Sequence, residues 1–429
     1  MKILFTAPVL NYGGIEILAL RFSEAFGRAG HEVTLYDFRP DLRNEQMVSH
    51  FDTSKFKLAG MEPAAWKDWL NWKTNAFLLK TGLLKDFRER LIERHFAKFI
   101  QRNKFDIVCS ISFQQDYFSC KYCPAVKLPV VISMHGTYES DAPYWPERAH
   151  LTYEYVSAII YAADKNLSWF ESQPYYQASK PTFKIDTGAD LSAPIAQSVN
   201  RQDLGIAADA FVFIMVARGI EQKGWQQAID AHLALQQQHP GTVLLLVGDS
   251  GYVQQLRNKY AGYSSILFYG AHPNSLELTQ LANVGLLPSY FVSETLPNVI
   301  IDYLRCHLPV ISTRVGEIPG MLTTPDGQVA GEILPLPVPN VAVETTTLQL
   351  AMEKYLVDAG YYARKQALAA QAVRRFDIRY CVEKYLEVFE QVLASPATHR
   401  VPSLPLAASA PAAPAYTQAS SAQRAAEGR

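Results

Sequence analysis

Residues 1–37 read Met-Lys-Ile-Leu-Phe-Thr-Ala-Pro-Val-Leu-Asn-Tyr-Gly-Gly-Ile-Glu-Ile-Leu-Ala-Leu-Arg-Phe-Ser-Glu-Ala-Phe-Gly-Arg-Ala-Gly-His-Glu-Val-Thr-Leu-Tyr-Asp. Lys2–Thr6 is a short apolar run that suits a buried strand. Gly13 and Gly14 form a turn. Ile15–Ala29 sets Ile17, Leu18, Phe22, Ala25 and Phe26 at helical spacing, and Gly30 ends that helix as a C-terminal glycine commonly does. Glu32–Asp37 is the next strand. A strand, a helix and a second strand in this order predict an α/β fold with a parallel sheet and helices on both faces.

Outward from this unit the alternation continues. Asp106–Ser112, Val130–Met134 and Ser157–Tyr161 read as further buried strands. A second series begins near Phe211. Phe211–Ala217 and Thr242–Val247 are continuous apolar runs, as central parallel strands tend to be. Ile266–Tyr269, Val284–Leu287 and Val310–Thr313 follow, with helical patterns around Trp225–Gln238 and Pro297–His307 between strands. Asp186–Gln202 lacks strong periodicity and joins the two series. The expected domains are therefore 1–190 and 191–375. Residues 376–395 are expected to form a C-terminal helix that packs back across them. Its apolar face carries Tyr380, Val382, Tyr385, Val388, Phe389 and Val392. Residues 396–429 are rich in Ala, Pro and Ser. They bury too little apolar surface to offset ordering entropy and are expected to be disordered.

With 429 residues, 48% of them apolar, the chain is long enough for two or three domains with real cores. Forty Lys and Arg against 41 Asp and Glu give a net charge of -1, which speaks against a nucleic-acid partner. The five cysteines are irregularly spaced, which does not suit a secreted disulfide framework. Cys120 and Cys123 form one CxxC without a second pair and read as a loop with two reduced thiols, a zinc or redox role being the lesser alternative. The N-terminus resembles a strand rather than an export signal, and no apolar run reaches the roughly 20 residues that span a bilayer. A cytoplasmic protein is expected.

Several side chains fall where ligands bind in such folds, beyond the C-terminal ends of strands. Arg218 and Lys223 follow the strand Phe211–Ala217. A guanidinium fork and a point-like ammonium suit a diphosphate, although the two could simply be solvated and paired with Glu221. Glu294 and Asp302 bracket a helix start. The amides of Thr295, Leu296, Pro297 (which lacks the N–H and is placed in the first turn), Asn298 and Val299 surround that start, where anions are favoured. Glu294 could accept from sugar hydroxyls and Asp302 from ribose. An acidic helix start stabilised by its dipole is the plainer alternative. His135 follows the strand Val130–Met134 and could position a hydroxyl, or simply bond backbone. Gly13 and Gly14 allow close approach of a ligand, without a dinucleotide fingerprint. Gly248 and Gly251 fit either room for a base or a tight turn. Residues 66–102 mix Trp66, Trp69 and Trp72 with lysines. They read as an amphipathic excursion packed on the first domain or as a contact with a membrane surface.

Together and in this order, the segments resemble the retaining glycosyltransferases of family four. Val-Ala-Arg-Gly-Ile-Glu-Gln-Lys-Gly, residues 216–224, is similar to the family's Arg-x4-Lys phosphate clamp. Glu294 through Asp302 is similar to its E-x7-E segment, with aspartate in place of the second glutamate. Thr-Gly-Ala-Asp, residues 187–190, resembles a signature near the interdomain linker. The resemblance implies the GT-B fold, two facing Rossmann-like domains with a cleft between them. It implies transfer of a sugar from a UDP- or GDP-linked donor, with retention, to a glycan or lipid-linked acceptor in polysaccharide, lipopolysaccharide or glycolipid assembly at the inner face of a membrane. Catalysis would fall to His135, Arg218, Lys223 and Glu294. Gly13, Gly14, Gly248, residues 295–299 and Asp302 would bind the donor. Neither metal nor cofactor is expected. The same plan serves sugar-nucleotide epimerases and phosphorylases, and a silent binding module would share it.

Overall fold

The computed structural model describes residues 1–11, 14–61, 87–136, 138–195, 197–272 and 274–395. Gly13, the tryptophans of 66–72 and the tail 396–429 lie outside the described residues. Among the described residues the chain divides into two compact units: Met1–Thr187 with the segment that begins at Ile378, and Gly188–Asp377.

The first unit holds a parallel sheet. Its strands are β1 Lys2–Ala7, β2 Glu32–Asp37, β3 Lys57–Gly60, β4 Ile107–Ser110, β5 Val130–Met134, β6 Ala158–Tyr161 and β7 Thr182–Lys184. Their order is β3-β2-β1-β4-β5-β6-β7. Ile3 pairs with Val33 on one side and Ile107 on the other, so β1 is central and buried on both faces. That is why it reads as an unbroken apolar run. The edge strands β3 and β7 are short and mixed in character, and periodicity does not mark them. β4 is shorter than the expected Asp106–Ser112: at its start the Asp106 carboxylate accepts from the Lys2 amide at 2.7 Å, and at its end Ser112 is already the N-cap of the following helix.

The helix expected at Ile15–Ala29 runs Gly14–Arg28, and Gly30 follows it with φ +90°. Cys120 and Cys123 are not in a loop. They sit in and just after the helix Phe113–Tyr122, buried in the core. The final helix, Ile378–Ala394, inserts Tyr385 and Phe389 against the first helix. Tyr385 lies 4.9 Å from Phe22 and Phe389 lies 5.8 Å from Phe26, ring to ring. Tyr380 is not part of its buried face and is 51% exposed. Of the stretch 66–102, the described part is the helix Phe87–Arg102. It buries Phe96 and Ile100, packs Phe96 and Phe99 on Tyr36, and turns Arg90, Arg94, Lys98 and Arg102 outward.

The second unit carries β8 Phe211–Val216, β9 Thr242–Val247, β10 Ile266–Gly270, β11 Val284–Leu287, β12 Val310–Thr313 and β13 Gly331–Leu334. All pair in parallel, in the order β10-β9-β8-β11-β12-β13. β13, Gly-Glu-Ile-Leu, has no apolar run to reveal it. A Cβ at Gly331 would fall 1.9 Å from the Val310 carbonyl oxygen, so only glycine lets this strand close onto β12. The helix expected at Pro297–His307 is Asn298–Arg305. Pro297 stands just outside it as the N-cap residue, at φ -71° and ψ 115°, rather than in its first turn.

Candidate active site

Strand order reverses between β8 and β11. From β8 the chain builds outward through β9 and β10, then returns to the other side for β11 and β12. Such a switch point opens a crevice at the C-terminal strand ends, because the two following loops leave in opposite directions. Here those loops carry Arg218 and Lys223, after β8, and Ser289 through Glu294, after β11.

The two loops meet through an ion pair. Lys223 Nζ contacts Glu294 Oε2, and the side chains are only 8% and 9% exposed. Ser289 Oγ donates to the same carboxylate oxygen at 3.0 Å. Burial pulls the Lys223 ammonium below its usual value, while Glu294 opposes that shift. Phe291 lies beneath both cations, 5.6 Å from the Arg218 guanidinium carbon and 5.4 Å from Lys223 Nζ. Such ring faces attract cations. Arg218 itself is exposed. The alternative partner weighed for these cations, Glu221, is not the one Lys223 takes.

The backbone around the pair is tightly fixed. Trp225 Nε1 donates to the Arg218 carbonyl at 3.0 Å, and Ser250 Oγ donates to the Gly219 carbonyl at 2.6 Å. The Tyr290 amide bonds the Gln222 carbonyl at 2.9 Å, joining the two loops again. Gly224 has φ +84°, and a Cβ there would meet the Pro288 carbonyl oxygen at 2.3 Å. Gly248 follows β9 with φ +145°. The Ala217 carbonyl oxygen lies 2.2 Å from where its Cβ would be. The protein's own backbone therefore accounts for glycine at 248.

Thr295 and Leu296 lead into the helix Asn298–Arg305. Its N-cap, Pro297, offers no side-chain acceptor for the first-turn amides of Asn298 and Val299. The Ile300 amide bonds back to the Pro297 carbonyl at 3.0 Å. This leaves an N-terminus suited to an anion beside Lys223 and Arg218. Asp302 lies within the helix. The next residue, Tyr303, is fully buried and accepts from the Val216 amide at 2.8 Å, tying the helix to the end of β8. The loop after β12 supports the turn: the Glu317 amide donates to the Thr295 carbonyl at 2.8 Å.

His135 and Gly14 belong to the first unit. His135 leaves the end of β5, with Nε2 2.7 Å from Ser133 Oγ. Burial holds the imidazole neutral, its pKa pushed down to about 3. Gly136 beyond it is fixed by Asn166, whose Nδ2 donates to the Gly136 carbonyl at 3.1 Å. Gly14 opens the first helix. Sequence reading missed Ser289, Phe291, Trp225 and Tyr303. Ser289 and Phe291 stand inside the segment that drew attention to Glu294, but a hydroxyl and a phenyl there carry no pattern of their own. Their roles come from the fold of the loop.

Two family descriptions match the chain: Glycosyl transferases group 1 over residues 196–366, and Glycosyltransferase Family 4 over residues 12–168. An uncharacterized glycosyltransferase of Methanocaldococcus jannaschii is 28% identical over 189 residues, 42% of this chain and 45% of that relative. The chain thus spans under half the length of this curated relative. Among solved structures, Anabaena HepE with UDP and glucose is 16% identical, with a TM-score of 0.69 over 91% of this chain and 99% of that one. WaaG, a glycosyltransferase involved in lipopolysaccharide biosynthesis, is 15% identical, with a TM-score of 0.62 over 90% and 99%. At these identities the likeness is one of fold: both sheets follow the GT-B plan.

Proposed function

Because the chain belongs to the family-four glycosyltransferases, we propose that it moves a sugar from a nucleotide-diphosphate donor to an acceptor hydroxyl, with retention at the anomeric carbon. The observation that carries this reading is the buried Lys223–Glu294 pair at the β8/β11 switch point, beside Arg218 and an uncapped helix start. Cations and helix-start amides without a side-chain cap fit a diphosphate there, and the Glu294 carboxylate fits sugar hydroxyls. HepE, the structural relative, holds UDP and glucose.

In the proposed step, the bond from the anomeric carbon to the diphosphate oxygen breaks and the electron pair leaves with the nucleotide. Arg218 and Lys223 stabilise that growing negative charge. The bond to the acceptor oxygen forms on the same face, and the acceptor proton passes to the departing phosphate. Glu294 orients the sugar through its hydroxyls. Asp302 accepts from the ribose, with one methylene less reach than the family's glutamate. Gly248 lets backbone approach the donor, and His135 acts on the transferred sugar. Donor entry must loosen the Lys223–Glu294 contact, since the phosphate competes for the ammonium. No metal enters this scheme; the two cations hold the diphosphate.

The acceptor is proposed to be a glycan or lipid-linked sugar at a membrane surface. The outward cations Arg90, Arg94, Lys98 and Arg102 lie at i, i+4 spacing on one helix face and suit anionic headgroups. Among the described residues, no helix is long and apolar enough to cross a membrane.

The test is a panel of UDP- and GDP-sugars screened by thermal stabilisation, followed by incubation of the best donor with and without acceptor. Transfer with retained configuration is expected. Epimerised donor without transfer, or phosphorolysis, would sink the reading. Sedimentation with anionic vesicles, lost on replacing the four cations by glutamine, checks the membrane contact.

A further inference from the structure

The last helix returns to the first unit and reaches the end of β5 with a single polar atom. Tyr385 is fully buried, and its hydroxyl lies 2.6 Å from Ser133 Oγ. Ser133 is also fully buried, and the same Oγ lies 2.7 Å from His135 Nε2. Three polar groups from residues 252 apart in sequence thus form one chain, Tyr385–Ser133–His135.

Proton positions in that chain follow from the relative donor strength of its two hydroxyls. The phenol has one O–H, and its hydrogen-bond partner among the described residues is Ser133 Oγ. A phenol is also a better donor and a poorer acceptor than an aliphatic hydroxyl. Tyr385 therefore donates to Ser133, which commits the serine's own proton to the imidazole. His135 Nε2 accepts, and the neutral ring carries its proton on Nδ1. In the reverse arrangement the Nε2 proton would go to Ser133 and the serine's to Tyr385, which would make the phenol, the weaker acceptor of the two hydroxyls, accept from the serine.

We propose that Tyr385 is a positioning residue for His135: acting through Ser133, it fixes the ring orientation and the Nδ1–H tautomer. This rests on the reading of His135 as a residue that acts on the transferred sugar, but the tautomer itself can be read without any transfer assay. It also gives the C-terminal helix a part in the site besides packing on Phe22 and Phe26.

The experiment uses the full chain labelled with 15N-histidine, with the His135 signals identified by their loss in His135→Asn. Two-bond 1H–15N spectra should show a protonated Nδ1 and an unprotonated Nε2. In Tyr385→Phe, which keeps the ring and the packing, the pattern should move toward a mixture of tautomers. A protonated Nε2 in the unaltered protein, or an unchanged pattern in both Tyr385→Phe and Ser133→Ala, overturns the proposal. Melting temperature separates these outcomes from misfolding: a Tyr385→Phe protein that melts with the parent has lost only the hydroxyl. Once a donor is known, Tyr385→Phe should lower kcat by about tenfold with KM nearly kept, as misorientation of a fixed group does. It should have no further effect on top of His135→Ala. A full tenfold loss in the His135→Ala background would show that Tyr385 acts by another route. If His135→Ala leaves transfer intact while the tautomer pattern holds, the role given to His135 fails and the relay stands.

Discussion

The corner at His135 and the corner at Lys223–Glu294 handle the same difficulty in opposite ways. Each places a titratable side chain out of water at the C-terminal end of a parallel strand. At His135 the protein removes the charge: burial keeps the ring neutral, and the Ser133 hydroxyl bonds its Nε2. At Lys223 it keeps the charge and brings a counter-ion from the next loop, with Ser289 as a second donor to that carboxylate. A neutral group can orient a hydroxyl without drawing in water. A buried ion pair holds charge in reserve for an anion that arrives later, at the cost of depending on both partners.

The largest expected effect comes from breaking the pair. Glu294→Ala leaves the Lys223 ammonium buried and uncompensated, and should cost about 3–5 kcal/mol of stability. It should also lower transfer by about 10²-fold or more, because the contact proposed between Glu294 and the sugar is lost. Urea unfolding of the variant reads the first, and initial rates under saturating donor read the second. A Glu294→Ala protein as stable as the parent would mean the pair is not buried in solution.

Next in size is Arg218→Ala. Arg218 is exposed and should contribute to chemistry rather than folding. Turnover should fall by about 10²-fold while stability changes by no more than about 0.5 kcal/mol. A large drop in melting temperature would place Arg218 with the pair instead.

Acid titration sharpens the other side of the comparison. The folded pKa of His135 lies near 3, below its ordinary 6.5, so between these values the unfolded chain binds more protons. Stability from this group is complete above about pH 6.5 and falls toward pH 3, by about 1.4 kcal/mol per pH unit. Asp116, whose carboxyl burial raises to about 7, acts in the opposite sense between pH 3.8 and 7. His135→Asn should therefore flatten the acid loss relative to the parent. Equal slopes in the two proteins would show that His135 protonates freely in the folded state.

The smallest expected effect is also the most discriminating. Replacing both members together, Lys223→Met with Glu294→Gln, removes the charges but keeps volume and the bond to Ser289. Stability should return to within about 1 kcal/mol of the parent, while donor-induced stabilisation is lost. Destabilisation equal to the sum of the single variants would contradict the pairing.

Much of this architecture was legible in the chain. Central strands buried on both faces appear as apolar runs: β2, β5, β9, β11 and β12 match their expected bounds residue for residue. Strands β3, β7 and β13 escaped notice because they are short, polar or glycine-led, and parallel pairing with a neighbour defines them. The order of the charged residues along the chain pointed to Arg218, Lys223, Glu294 and Asp302 as one group. It did not say that Lys223 would take Glu294 as its partner, since 71 residues separate them.

What the sequence determined by itself is therefore the alternation of buried strands and covering helices, and the side chains that fall at strand ends. These depend on local periodicity and on residue type. The tertiary structure decided which loops face each other. Strand order reverses at β8, and only that reversal brings Lys223 to Glu294. The last helix folds back onto the first unit, and only that return brings Tyr385 to Ser133 and His135. Both contacts join residues far apart in the chain, and the energy that forms them comes from burying the elements that carry them, which no local pattern records.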